Sequence, residues 1–152
     1  MKAPDLSKTP PRRWNADLDG IKWLPRLIDK ARAALAGTLG TYLYGQSPFD
    51  RALLRALGLG YRDFSRIVAN AATDDDVFRE LYARSPQGIE RARVWGEQLG
   101  RRSALMMWIF DVDDGYAASP ALAGLRPPAN MISNLLTAMV KRLWPSRATE
   151  ID

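Results

Sequence analysis

Cysteine and histidine are both absent from the 152 residues. Without cysteine there is no disulfide framework, no thiolate nucleophile and no thiolate metal site. Without histidine the commonest acid–base group and the commonest metal ligand are gone. Together the two absences exclude Ser-His-Asp and Cys-His triads, zinc fingers and thioredoxin-type chemistry. Long apolar runs are missing as well: the longest, Ala104 to Phe110, has seven residues, against the ~20 that a membrane helix needs. Met1 to Pro11 is polar and proline-bearing, with no apolar stretch to make a signal peptide, so a cytoplasmic protein is expected. There is no Walker loop, no third glycine near Gly58 to complete a dinucleotide turn, and no Gly-x-Ser-x-Gly or Ser-x-x-Lys. No catalytic residue, metal ligand or cofactor is assigned, and the balance leans away from an enzyme. A pair of carboxylates working as in glycoside hydrolysis is the one chemistry left open, with nothing in its favour.

What is present suits a globular domain. Apolar residues make up 47% of the chain, and a chain of this length buries about 68–70% of its unfolded surface. The formal net charge is +5 and the pI near 9.8. Such a balance fits an anionic partner, or serves solubility alone. Arginine supplies most of the positive charge, which favours bidentate contacts to anions.

The pattern along the chain is helical. Residues 1–19, with Pro4, Pro10 and Pro11, read as an extended arm that wraps the domain or hangs free, with Trp14 available to pin it. A single helical domain follows over 20–152. Its first helix has Pro25 in the first turn, Gly37 past the end, and Leu27, Ile28, Ala31 and Leu35 as its buried stripe. Leu39 to Gly45 is a tight loop or a short strand. Ser47-Pro48-Phe49-Asp50 reads as a capping box opening a helix that buries Leu53, Leu54 and Leu57. Helices burying Phe64, Ile67 and Val68, then Val77, Phe78, Leu81 and Tyr82, come next, the second capped by Thr73 and Asp74 to Asp76. Ser85-Pro86 opens another, with Ile89, Ala92, Trp95 and Leu99 on one side and a bend or break expected at Gly100. Residues 104–110 suit a buried helix or a central strand. Residues 129–144 form a C-terminal amphipathic helix with Ile132, Leu135, Leu136, Met139, Val140 and Leu143 as its stripe. The fold class is all-α: a compact bundle of about six short helices with an extended N-terminal arm, and no hairpin.

Gly20 to Arg32 (GIKWLPRLIDKAR), Ala36 to Gly40, Tyr42, Tyr44, Asp50 to Leu54, Gly58 and Phe64 together resemble a bacterial family catalogued as domain of unknown function 5069. The resemblance covers about two thirds of the chain and fades after Gln98. It implies a helical, cytoplasmic bacterial protein and transfers no activity.

Two clusters are candidate sites. Arg26, Asp29, Lys30, Arg32, Tyr42, Tyr44 and Asp50 gather charge and phenols on the first helix and the loop after it. They suit an anionic small molecule, or a salt-bridged lattice tying that helix to the next, with Asp29 in reach of Arg26 and Arg32. Arg51, Arg55, Arg62 and Arg66 flank Gly58-Leu59-Gly60, which has the form of a helix-hairpin-helix turn whose amides hold a phosphate. An ordinary helix stop between solvated arginine faces explains the same residues. Asp111-Val112-Asp113-Asp114-Gly115 is not a calcium loop, because its glycine comes one position early and Leu122 stands where glutamate belongs. The expected function is a non-enzymatic protein-interaction module, binding a protein partner or itself. The alternatives are weak, sequence-independent nucleic-acid binding at the Gly58 turn, and small-anion binding.

Overall fold

The computed structural model describes residues 3–116. Among them are a two-strand hairpin, β1 (Asp17–Leu18) and β2 (Ile21–Lys22), and six helices: α1 (Leu24–Leu35), α2 (Pro48–Leu57), α3 (Tyr61–Asn70), α4 (Asp74–Arg84), α5 (Pro86–Arg102) and α6 (Ala104–Asp113). The all-helical class therefore stands, and 104–110 is helix. The C-terminal helix expected at 129–144 lies outside the described residues.

The hairpin corrects the sequence reading. Leu18 pairs with Ile21, and the turn between them is Asp19-Gly20, both at positive φ. Asp-Gly is the residue pair such a two-residue turn favours; strands this short leave no alternation to notice. Gly100 stays inside α5, and the helical path breaks at Ser103 instead. The 39–45 segment is irregular, with Gly40 and Gly45 at positive φ. Two expected core positions are also wrong. Leu35 is 42% and Tyr82 50% exposed, since each falls at the edge of its helix's inward face.

The core gathers Trp23, Leu24, Leu27 and Ile28 with Leu53, Leu57, Phe64, Val77, Ile89 and Met107. α2 packs chiefly on α5, α1 on α3, and β2 on α5. Two of these crossings depend on glycine. A Cβ on Gly88 would stand 2.8 Å from the Leu57 carbonyl oxygen, and one on Gly96 3.1 Å from the Lys22 nitrogen. Trp23, entering α1 at φ 70, holds a left-handed conformation that is unfavourable for a bulky residue. Its buried ring sits 5.2 Å from Phe49 and 5.6 Å from Phe110, and those contacts keep it there.

Candidate functional site

α1 carries its charge inward. Arg26 and Lys30, one turn apart, share the face that meets Trp23, and each is only 3% exposed. Lys30 Nζ donates to both oxygens of Asp50, at 2.5 and 2.6 Å. Trp23 Nε1 donates to the same carboxylate at 2.9 Å, and the Gly45 amide at 3.3 Å. Asp50 is completely buried and every donor it needs is in place. The Ser47–Asp50 capping box is therefore a misreading. No side chain caps α2, because the carboxylate meant for the cap turns inward to Lys30.

Arg26 Nη1 donates to Asp114 at 2.6 Å and to the Arg12 carbonyl at 3.1 Å. Tyr42 donates to the other Asp114 oxygen at 2.8 Å. The guanidinium lies between 5.3 and 5.8 Å from the ring centres of Trp23, Phe110 and Tyr42, within cation–π range. Arg26 Nε is buried without a hydrogen-bond partner among the described residues. Tyr44 shares a hydrogen bond with Ser65 at 2.7 Å and belongs to the core.

Asp29 bonds neither Arg26 nor Arg32. It takes the Arg12 backbone amide, Nε and Nη2 at 2.8, 2.9 and 2.8 Å. Asp74 joins Arg12 Nη1 at 2.6 Å to Arg32 Nη1 at 2.5 Å. Arg13 makes a fork on Asp111 at 2.8 and 2.6 Å, with Trp14 Nε1 3.1 Å from one of its oxygens. The cluster thus sets Arg12, Arg13, Arg26, Lys30 and Arg32 against Asp29, Asp50, Asp74, Asp111 and Asp114. An anion entering it has to break an existing pair.

Protonation follows from this packing. Burial pushes the Lys30 ammonium below the ordinary lysine value, against the pull of Asp50. Tyr42 is held above the phenol range, first by burial and then by Asp114. Burial also raises Tyr44, outweighing its bond to Ser65. Arg12 is raised although burial opposes its charge, because Asp29 and Asp74 together outweigh that penalty.

Sequence reasoning found α1's contribution and missed Arg12, Arg13, Asp74, Asp111 and Asp114. The partners stand up to 98 residues apart in the chain. One signal was available: an apolar helix that ends Asp-Val-Asp-Asp must bring carboxylates beside buried surface, and those need cations.

The Gly58 turn is built differently from a phosphate cradle. The Gly58 amide donates to the Arg55 carbonyl and the Leu59 amide to the Leu54 carbonyl. Two of its amides thus close the end of α2 in the pattern of a Schellman cap. Gly58 itself takes φ 75, the conformation that cap demands. Gly60 precedes the first residue of α3. Arg51, Arg55, Arg62 and Arg66 are all exposed, and Arg66 reaches Asp63 at 3.3 Å. Among the described residues, no three carboxylates converge as a metal site needs, and no helix is long and apolar enough to cross a membrane.

Comparison with curated proteins finds no match to this chain. A family model described as Domain of unknown function (DUF5069) matches residues 8–106, from the arm that carries Arg12 and Arg13 to the first turn of α6, and the chain belongs to that family.

Proposed function

We propose that the protein is a non-enzymatic, cytoplasmic interaction module that binds a protein partner through the outer side of α6. One observation carries this reading. α6 has the sequence ALMMWIFDVD, and only Met107, Ile109, Asp111 and Val112 are buried. Leu105 is 68% and Val94 on α5 57% exposed, and Trp108 is half-covered. Scattered apolar side chains on a surface are ordinary. A helix this apolar, with Ala104 and Leu105 in water, suits a face that something else covers. The polar cluster around α1 argues the same way, because each of its carboxylates is already held by a cation, while Arg12 and Arg13 stay partly in water.

The test is capture of partners from nuclease-treated lysate by the wild type and by Leu105→Glu. One protein held near equal stoichiometry by the wild type and lost by the variant is the expected result. Equal retention by both would sink the reading.

A second reading, weak binding to nucleic-acid backbone, draws on the α2–α3 surface. Its four exposed arginines are opposed there by the single partly exposed carboxylate of Asp63, Asp50 being buried. Affinity that falls steeply with salt, and falls again in Arg55→Ala/Arg62→Ala, is what that reading requires. Binding indifferent to salt rules it out. Small-anion binding at Arg26 and Lys30 has the least support, since both already hold carboxylates. Screening of phosphate metabolites by thermal shift is expected to leave the melting temperature unmoved.

A further inference from the structure

One side of α6 is covered at its end and bare at its start. Trp108 follows Leu105 by three residues and Ala104 by four, so the three share a side of the helix. Ala104 and Leu105 stand in water, and Trp108 is half-covered and lies outside the apolar core. Asp111 and Val112, three and four residues past Trp108, fall on the same side and are buried. Arg13 and Trp14 of the arm hold Asp111 there. The arm thus covers the last turn and leaves the first one open. No other large apolar side chain among the described residues is as exposed as Leu105.

The chain that follows carries a matching pattern. Residues 129–144 lie outside the described residues, and their sequence sets Ile132, Leu135, Leu136, Met139, Val140 and Leu143 on one stripe at helical spacing. Pro127-Pro128 and Pro145 bracket the stretch, where prolines open and stop helices. Six such side chains are strongly favoured out of water, so the stripe calls for an apolar surface to meet. The link to α6 is short. The last described residue is Tyr116, three past the end of α6. The twelve residues 117–128 reach at most about 40 Å when extended. All ten residues of α6 span only about 15 Å. Its first turn is within that reach, and a helix entered from its last turn returns along it antiparallel. So short a tether gives an effective concentration in the millimolar range. That favours this segment over a second copy or a free peptide as the occupant of the face.

We propose that residues 129–144 form a helix that docks antiparallel on the outer side of α6, over Ala104, Leu105 and Trp108. This occupancy rests on the reading of α6 as a docking face and adds its regulation. A partner has to compete with the chain's own helix, so its affinity is set partly by how tightly that helix is held.

Hydrogen–deuterium exchange of the purified full-length chain, read by mass spectrometry, needs no partner. Peptides covering 132–143 should be protected in the wild type, and equally so at low and high protein concentration. Leu105→Glu, at a side chain the body leaves in water, should speed their exchange roughly tenfold or more while peptides from α1 and α2 keep their protection. Because the chain has no cysteine of its own, a disulfide gives a second readout. Leu105→Cys combined with Leu136→Cys or Met139→Cys should close within one chain on oxidation. Leu105→Cys combined with Asn134→Cys, on the polar side of the segment, should not. Unprotected amides at 132–143, protection that survives Leu105→Glu or rises with concentration, or disulfides formed only between chains overturn the proposal. Unprotected amides together with a lysate partner lost in Leu105→Glu remove the internal helix and keep the docking face. Protection lost in Leu105→Glu with lysate capture unchanged does the reverse.

Discussion

Lys30 is held below the surface by one carboxylate, and Asp50 has no water to fall back on. Removing one member of a buried pair costs about 3–5 kcal/mol, because the survivor is left charged and unpaired. Asp50→Asn is the sharpest test, since its remaining oxygen still serves Trp23 Nε1 while the charge is lost. Urea unfolding should show a loss of about that size, with part of it recovered in Lys30→Met/Asp50→Asn. A loss below about 1 kcal/mol would mean that Lys30 sheds its proton at little cost. The phenols give a second prediction. Tyr42 and Tyr44 are held above the ordinary value of 10.0, so their contribution is complete below pH 10 and is lost as the pH rises beyond it. Lys30 acts oppositely: its lowered value makes stability climb with pH, but only as far as its unfolded value of 10.5. Above that Lys30 adds nothing further, so stability should fall, and fall less in Tyr42→Phe and Tyr44→Phe. Five tyrosines all ionising in a protein still folded at about pH 11 would contradict this. Part of this chemistry was legible in the sequence. The spacing of Arg26 and Lys30 placed them on one face of a helix, but not whether that face met solvent. Whether it met Asp50 and Asp114 depends on contacts 20 and 88 residues away, which no local pattern carries.

At the scale of elements, two caps that look alike in sequence differ in the fold. Thr73 accepts from the Asp76 amide while Asp76 accepts from the Thr73 amide, a complete capping box on α4. Bonds from Thr73 also hold the Asp76 carboxyl below its usual range. Ser47, in the matching place on α2, makes no cap, because Asp50 is drawn into the core. Thr73→Ala should therefore cost about 1 kcal/mol, and Ser47→Ala no more than a few tenths, in matched thermal or urea unfolding. Equal losses would mean that Ser47 caps α2 in solution after all. Helix boundaries were readable because each depends on a few adjacent residues: Pro25, Pro48 and Pro86 opening helices, Gly37 and Gly58 following their ends. The hairpin was not. Its pairing spans only two residues a strand, too few for a periodicity, and its Asp-Gly turn is one of several turn signals in that stretch.

At the scale of the molecule, α6 decides whether the interaction reading holds, because an apolar side chain stands on its outer side. Met107 is buried beneath it, whereas Leu105, two residues earlier, stands largely in water. If the outer side is free, Leu105→Glu changes stability by no more than about 0.5 kcal/mol, as surface substitutions do. Met107→Ala, in contrast, should cost about 2–5 kcal/mol through the cavity it opens. Both are measurable by the same denaturant titration, so the comparison does not depend on knowing any partner. A Leu105→Glu loss approaching that of Met107→Ala would mean that the face is already covered within the protein, and that a partner must first displace what covers it. A neutral Leu105→Glu that nevertheless loses a nuclease-resistant partner would separate binding from folding on a single side chain. It would place the partner on the first turn of α6, leaving the paired charges around α1 the task of holding the arm, α1, α4 and α6 in register.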